Sequence, residues 1–560
     1  MRGSTATRSR TRIALGGLIA AAATLLVSAP PSSAAPKLEA ASYPDMSTFK
    51  CRSDPLPISP GQNLNLVRFV NTCPNAEKVS GPAPANLFTT ATEGYITRFK
   101  PSMVELKPNG REPTPSVWDL HLHHVVWVDL REGGGPTYAS GEEKTHVKLP
   151  QGYGGLLPAN TNWALNYMIH SLNASANREV AITWEIDWVP ETEPDIEPTH
   201  VQWLDVAGSQ VYPVFDAEKG YDTDKDGDFV FPDDADDPGE PAYPEETGKI
   251  SSKAQWTPEE DVTLVFGAGH LHPGGLHVDL EVTRNGVTRK LFRSDAKYYE
   301  PAGAVSWDVS MEATRPDWRI ALKAGDTVSI DTTYDVEKAS WYESMGILPI
   351  SYTTADDPAA KDPFDNRRAV RKLYKAGGIL THGRLPENID THARDDLGLP
   401  DPRDLAAASP VPDTGIEIDG FGYDPGGYAA SKFVPDDRLR PPTIGVGESA
   451  TFTNFDAPPG MPQVSQAWHS ITSCKPPCNK DSGIGYPLAN GPVKFDSGQL
   501  GYSSDTPGTP CGAGAGILCL NGNVVTDSHV YETPEFEEPG TYTYFCRIHP
   551  YMRGSIRVQD

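Results

Sequence analysis

Cationic side chains are in short supply: 48 lysines and arginines stand against 75 aspartates and glutamates, a formal charge of −27 over 560 residues. The acidic excess is spread along the whole chain. That excludes nucleic acid and anionic lipid as partners, since both demand concentrated positive charge. Long hydrophobic runs are missing beyond the first 35 residues, so membrane insertion is not expected. Cysteine is scarce too, at 7 in the whole chain, too few for a disulfide-built scaffold. Sustained helical periodicity is rare. What replaces it is 51 glycines, 53 prolines and short alternating runs such as "REVAITWEIDWV", "DVTLVFGAG", "DTVSIDTTYD" and "TYTYFCRIH". In "LHVDLEVTRNGVTRKLFRS" an Asn-Gly pair marks a hairpin. A mostly β protein is expected.

The N-terminal segment reads as a secretory leader over residues 1–35: basic residues, an apolar run from Ile13 to Val27, then small residues to Ala35. Arg8, Arg10 and Arg12 are never adjacent, so a twin-arginine route is not indicated. A secreted, extracellular protein follows, with a net charge near −31 once the four leader arginines are gone. In such a compartment an odd cysteine count is informative. Cys51 and Cys73 lie near the mature start, Cys474, Cys478, Cys511 and Cys519 lie late, and Cys546 is left over as a thiolate. Three pairings are open to the four late cysteines.

Near the end, "YFCRIHPYMRG" sets Cys546, His549 and Met552 three residues apart each time. Thiolate, imidazole and thioether in one loop are donors of a trigonal copper site with a long axial sulfur, which needs one more histidine. Upstream, "QVSQAWHSITSC" offers His469, followed by "VKFDSGQLGYS" and "EEPGTYTYFCRIHPYMRGSIRV". These segments, over residues 441–560, resemble the cupredoxin family. The resemblance implies a Greek-key β-sandwich with a type 1 copper held by His469, Cys546 and His549, with Met552 axial. The departure is a Gly- and Cys-rich insertion between His469 and Cys546. His529 is read as a surface residue.

Two histidine clusters lie far from this motif. "VWDLHLHHVVWVDL" holds His121, His123 and His124, and "LVFGAGHLHPGGLHVDL" holds His270, His272 and His277. In a strand, His270 and His272 share a face, whereas adjacent His123 and His124 need a bulge or strand end to converge. With "YGGLLPANTNWALNYMIHSLN", which carries His170, and "YDVEKASWYESMGILPISY", which carries Met345, these segments resemble the copper type II ascorbate-dependent monooxygenases. The arrangement is nearest the stress-induced, nodulin-like branch of that family. The resemblance implies two jelly-roll-like β-sandwich domains, residues 36–195 and 196–355, with one copper on each facing across a solvent-filled gap. His123, His124 and His170 would hold an electron-transfer copper. His270, His272 and Met345 would hold the catalytic, oxygen-binding copper, the thioether favouring Cu(I). Peptide-amidating members carry an arginine two residues before the His-x-His pair and a tyrosine four after the Met. Ala268 and Pro349 stand here instead, so a carboxylate clamp is missing. His121, His146, His200 and His277 are expected in structural or surface roles, with His121 the exception to watch because it shares a strand face with His123.

Between the two domains, at 220–240, an acidic insert spaces Asp222, Asp224, Asp226, Asp228 and Asp233 like a calcium loop, with Gly227 at the turn. A solvated acidic loop is the competing reading. Residues 356–440 form an irregular connector with one short helix in "NRRAVRKLYKAGG". The chain thus reads as a secreted copper monooxygenase. It would hydroxylate a C–H bond of an unknown substrate with dioxygen, and an external small-molecule or protein donor would supply electrons through its own type 1 domain. The competing reading is a non-catalytic copper-binding or electron-transfer protein.

Overall fold

The structure is a computed structural model. It describes residues 41–560 apart from short breaks and the longer segments 207–213, 218–226, 233–254, 389–404, 406–410, 428–439, 457–468, 479–493 and 501–528. The leader lies outside the described residues, as do Asp222, Asp224, Asp226 and Asp233 of the acidic insert. Among the described residues, no helix is long and apolar enough to cross a membrane.

The fold is mostly β, and its sheets bury three apolar cores. In the first, Phe49, Phe99, Trp127, Trp163 and Trp184 are at most 1 % exposed. They come from alternating positions of strands such as Gly94–Glu105 and Arg178–Pro190, whose period-2 pattern turns every second side chain inward. The second core gathers Leu264, Leu280, Phe292, Ile330 and Tyr334. Its hairpin turns at Asn285 and Gly286, both at positive φ, as the Asn-Gly pair requires, and joins Gly275–Arg284 to Val287–Tyr298. The third core, around Phe452, Tyr544 and Ile556, lies in the C-terminal sandwich.

Strand Glu197–Gln202 pairs in parallel with Tyr153–Leu157 and antiparallel with Ile350–Thr353. One sheet therefore runs from strands before residue 195 into strands after it, and the two halves are continuous at this seam. The connector packs on the second half. Helix Arg367–Ala376 buries Val370 in that core, and Ile379–Leu380 extends the sheet beside Val309–Ala313. Fully buried Asn388 donates to Asp308 Oδ1 at 3.0 Å and accepts from the Val117 N–H at 3.2 Å, pinning the connector to both halves. The C-terminal sandwich begins before the expected residue 441, because Val411–Pro412 and Gly415–Ile418 are already strands of its two sheets.

Cys51 bonds to Cys73 and Cys474 to Cys478, and Cys546 is free and buried. Cys511 and Cys519 lie outside the described residues.

Candidate metal centres

In the C-terminal sandwich, strand Gly540–Phe545 delivers Cys546 to its end, and the following loop folds back so that the Met552 N–H reaches His549 O at 2.8 Å. His469 arrives from the neighbouring segment, held by backbone bonds to Leu500. The Cys546 Sγ lies 3.9 Å from His469 Nδ1 and 3.8 Å from His549 Nδ1, and the two Nδ1 atoms are 3.2 Å apart. A first-row metal bonded at about 2.0–2.3 Å to three coplanar ligands needs them about 3.5–4 Å apart, so the triangle fits an ion. Met552 is fully buried in the same apolar cluster as Cys546.

The surroundings prepare these ligands. The N–H groups of Ser470 and His549 each point at Cys546 Sγ from 3.3 Å. Burial alone would raise the thiol's pKa, but His469 and these two donors reverse the shift and favour thiolate. Burial likewise works against charge on His469, but Asp456 and Cys546 outweigh it and hold the imidazole at about 9. Asp456 Oδ2 sits 2.9 Å from His469 Nε2, which fixes the ring so that Nδ1 faces the sulfur. The same carboxylate accepts the N–H groups of Gly420 and Phe421, and the Phe421 ring stands edge-on to both imidazoles at 4.9–5.3 Å. Asp456→Asn is expected to lower metal affinity about 10–100-fold, measured by competition with a chelator, because the ring loses its anchoring carboxylate.

The upstream histidines converge although they are distant in sequence. Strand Leu120–Asp129 pairs with Asn162–Ser171, and the register slips where Met168 faces His124 but Ile169 faces Leu122. His123 is the extra residue of that bulge. The irregularity that an adjacent pair requires is present: His123 Nδ1 and His124 Nδ1 lie 3.3 Å apart. Below the bulge His121 stands directly opposite His170, their rings 4.4 Å apart.

His272 lies 4.3 Å from His123 ring to ring, and Trp307 fits among the group, 4.6–4.9 Å from His121, His123 and His272. With His270 joined to His272 at 5.2 Å ring to ring, the six imidazoles form one continuous buried group, and the two expected sets meet at His123 and His272. The shared sheet seam brings the halves that close. His121, expected in a structural or surface role, belongs to this group: it is 1 % exposed and neither ring nitrogen has a hydrogen-bond partner. His277 instead contacts Thr333 Oγ1 at 3.0 Å, and His200 is exposed.

Met345 is placed beside the His-x-His pair. Its strand, Trp341–Ile347, runs antiparallel to His270–Leu271, with His270 opposite Ile347. The buried Tyr334 hydroxyl ties the two together: it accepts from the His272 N–H at 3.2 Å and the Met345 N–H at 3.0 Å, and donates to Met345 O at 2.7 Å. Tyr334→Phe is expected to destabilise the fold by about 1–3 kcal/mol, read from chemical denaturation, by leaving buried backbone groups unpaired.

Glu143, which no sequence pattern marked, stands at ion-pair distance, 3.1 Å, from His270 Nδ1, and neither ring nitrogen of His270 makes a hydrogen bond of good geometry. Burial would raise the Glu143 pKa, but His270 outweighs it and the shift is downward, so this carboxylate stays ionised. Gly141 must lack a side chain, because a Cβ there would lie 2.9 Å from the His270 ring and 2.7 Å from His123 O. Among the described residues, His469, Cys546 and His549 are the group whose ligand atoms all fall within 4.8 Å of one another.

No family model and no curated protein matches the chain. Solved structures with some likeness include a purple cupredoxin from Nitrosopumilus maritimus, at 21 % identity and a TM-score of 0.14 over 26 % of this chain and all of that one. An amicyanin variant in its Cu(I) form shows 18 % identity and a TM-score of 0.12 over 28 % of this chain and 89 % of that one. A copper-containing nitrite reductase from Thermus scotoductus shows 16 % identity and a TM-score of 0.15 over 53 % of this chain and 55 % of that one. Likenesses at these TM-scores add nothing to the site, whose meaning rests on its own donors.

Proposed function

We propose that this chain is an exported copper redox protein that takes electrons at a type 1 site and spends them on an oxygen-dependent hydroxylation at His270, His272 and Met345. The observation that carries the reading is the placing of one thioether beside a His-x-His pair, next to a further group of buried imidazoles.

His549 is among the smaller causes that lower the pKa of His121 and His170, after the larger effect of burial. The donors fit copper on both sides: thiolate, two imidazoles and thioether at one end, imidazoles and thioether at the other. Copper at the second centre would supply one-electron chemistry with dioxygen, the overall balance being one C–H bond, one dioxygen and two electrons with two protons giving an alcohol and water.

The chain's own residues have definable parts in this. His123, His124 and His170 hold the intermediate electron site. Glu143, 3.1 Å from His270 Nδ1, would orient that ring by charge and leave Nε2 for a metal. Burial pushes His124 down to about 3 and keeps it a neutral donor at working pH. Tyr334 sets the spacing of Met345 from His272. Of the five spaced aspartates Asp228 alone is described, in strand Asp228–Phe231, and a calcium role for Asp222, Asp224, Asp226, Asp228 and Asp233 stays a proposal of the spacing.

The test needs no substrate. The reduced full chain is mixed with dioxygen and return of the blue type 1 absorption is followed. Met345→Ile is expected to slow that return at least about tenfold while leaving the final blue intensity unchanged; equal rates would contradict the reading. A second reading, electron transfer without catalysis, is favoured by the fact that only the type 1 ligands are compactly preassembled among the described residues. Equal rates would select it.

A further inference from the structure

A cavity of about 820 Å³ reaches the proposed catalytic end, with His124, His270 and Met345 in its wall. Its size is that of a pocket for a small organic molecule. The remaining wall sets apolar Val126, Tyr138, Trp203, Phe266 and Ile347 among polar Thr137, Ser140, Thr199 and Ser351. Trp203 directs its N–H to Asp205 at 3.0 Å, and Tyr138 is 7 % exposed and lies flat on Phe99.

Each permanently charged group among the described lining residues is already matched. Arg131 Nε lies 3.0 and 2.8 Å from the two oxygens of Asp129, and its terminal nitrogen contacts the same carboxylate. Glu143 accepts the Gly141 N–H at 2.7 Å and stands 3.1 Å from His270 Nδ1. Ala268 and Pro349, the positions where a carboxylate clamp would stand, both line this cavity and offer no polar side chain. An ionised ligand would lose its hydration here and gain no partner, a cost of several kcal/mol or more. Asn166 and Gln202 are uncharged polar groups in the wall.

We infer that the cavity binds an uncharged small molecule with some apolar bulk and rejects carboxylates and phosphates of the same shape. This deepens the proposed reaction by naming its substrate class, and it rests on that reading for the role of the metal end alone.

The experiment is equilibrium dialysis of the fully reduced full chain under argon against 4-tert-butylbenzyl alcohol and, separately, 4-tert-butylbenzoate. Reduction removes direct carboxylate ligation as a source of binding, because Cu(I) prefers soft donors. The alcohol is expected to bind at least tenfold more tightly than the carboxylate. Val126→Trp, which fills the cavity, should abolish that binding while the oxidised variant still turns blue. Asp129→Asn, which leaves the Arg131 charge unmatched, should bring carboxylate affinity up towards that of the alcohol. Equal binding of both probes, binding of neither, binding that survives Val126→Trp, or an unchanged carboxylate affinity in Asp129→Asn would each overturn the inference. Binding is read without turnover, so it can fail while the reoxidation experiment succeeds, and the reverse.

Discussion

Replacing Cys546 by serine is expected to abolish the blue absorption of the oxidised chain and its ability to pass electrons onward. A hydroxyl at this position stays protonated and is a hard donor, so the metal loses the one strong soft bond that defines the site. The loss in copper affinity should exceed the about 10–100-fold that follows removal of an outer partner such as Asp456. The metal-free fold should change by no more than about 1 kcal/mol. The serine oxygen occupies nearly the same volume and can accept from the N–H groups of Ser470 and His549 that now point at the sulfur. Absorption spectroscopy and chemical denaturation of the two proteins side by side check both halves. A blue Cys546→Ser protein would contradict the site.

Acid is expected to unfold the metal-free chain early. Burial, first of all, holds His121, His123 and His170 well below the ordinary imidazole value of 6.5, and His124 at about 3. The unfolded chain takes up these protons near pH 6.5 and the folded chain does not. A group whose folded pKa is depressed contributes stability that is complete above its unfolded pKa and is lost as pH falls towards the folded value. Each such histidine costs about 1.4 kcal/mol per pH unit in that window, so four together cost on the order of 5 kcal/mol per unit. Against a total stability of about 5–15 kcal/mol, unfolding should come close to pH 5. His469 has the opposite sign, since its pKa is raised to about 9: its contribution is full below pH 6.5 and is lost as pH rises past 9, so it does not soften the acid slope. Denaturation curves at pH 7.5, 6.5 and 5.5 measure the slope; burial also lowers His146 to about 3, His277 to about 4, and His382, so seven histidines share it and His121→Phe should reduce it by about one seventh. A flat profile over that range would mean that these imidazoles are not buried and neutral.

The grouping of His469, Cys546, His549 and Met552 was legible because three of them fall in one short loop and the fourth sits in a segment framed by recognisable strands. The β character was legible for the same local reason, as alternation and the Asn285–Gly286 turn need no distant information. The need for a bulge at His123 was also readable, since neighbouring side chains on a strand cannot otherwise converge. His121 carried a signal, its shared face with His123, but whether it meets other imidazoles depends on its pairing with His170, which spacing along the chain does not reveal.

What was not legible is long-range. Glu143 meets His270, and Asp456 meets His469, through packing between segments that no short pattern connects. Trp307 sits among the histidines from a stretch without regular strand character. The sheet seam is of the same kind: Glu197–Gln202 is an unremarkable strand whose parallel partner could not be named from sequence, yet it joins the two halves in one sheet.

The most direct test is copper per mature chain, taken with the paramagnetic resonance spectrum of the oxidised protein. The expected result is three coppers, one with the narrow splitting of a blue site and two ordinary, the latter lost when His123 and His270 are replaced by alanine. A single blue copper, unchanged by those replacements, would contradict a metal role for the upstream histidines and leave Cys546 as the only redox centre.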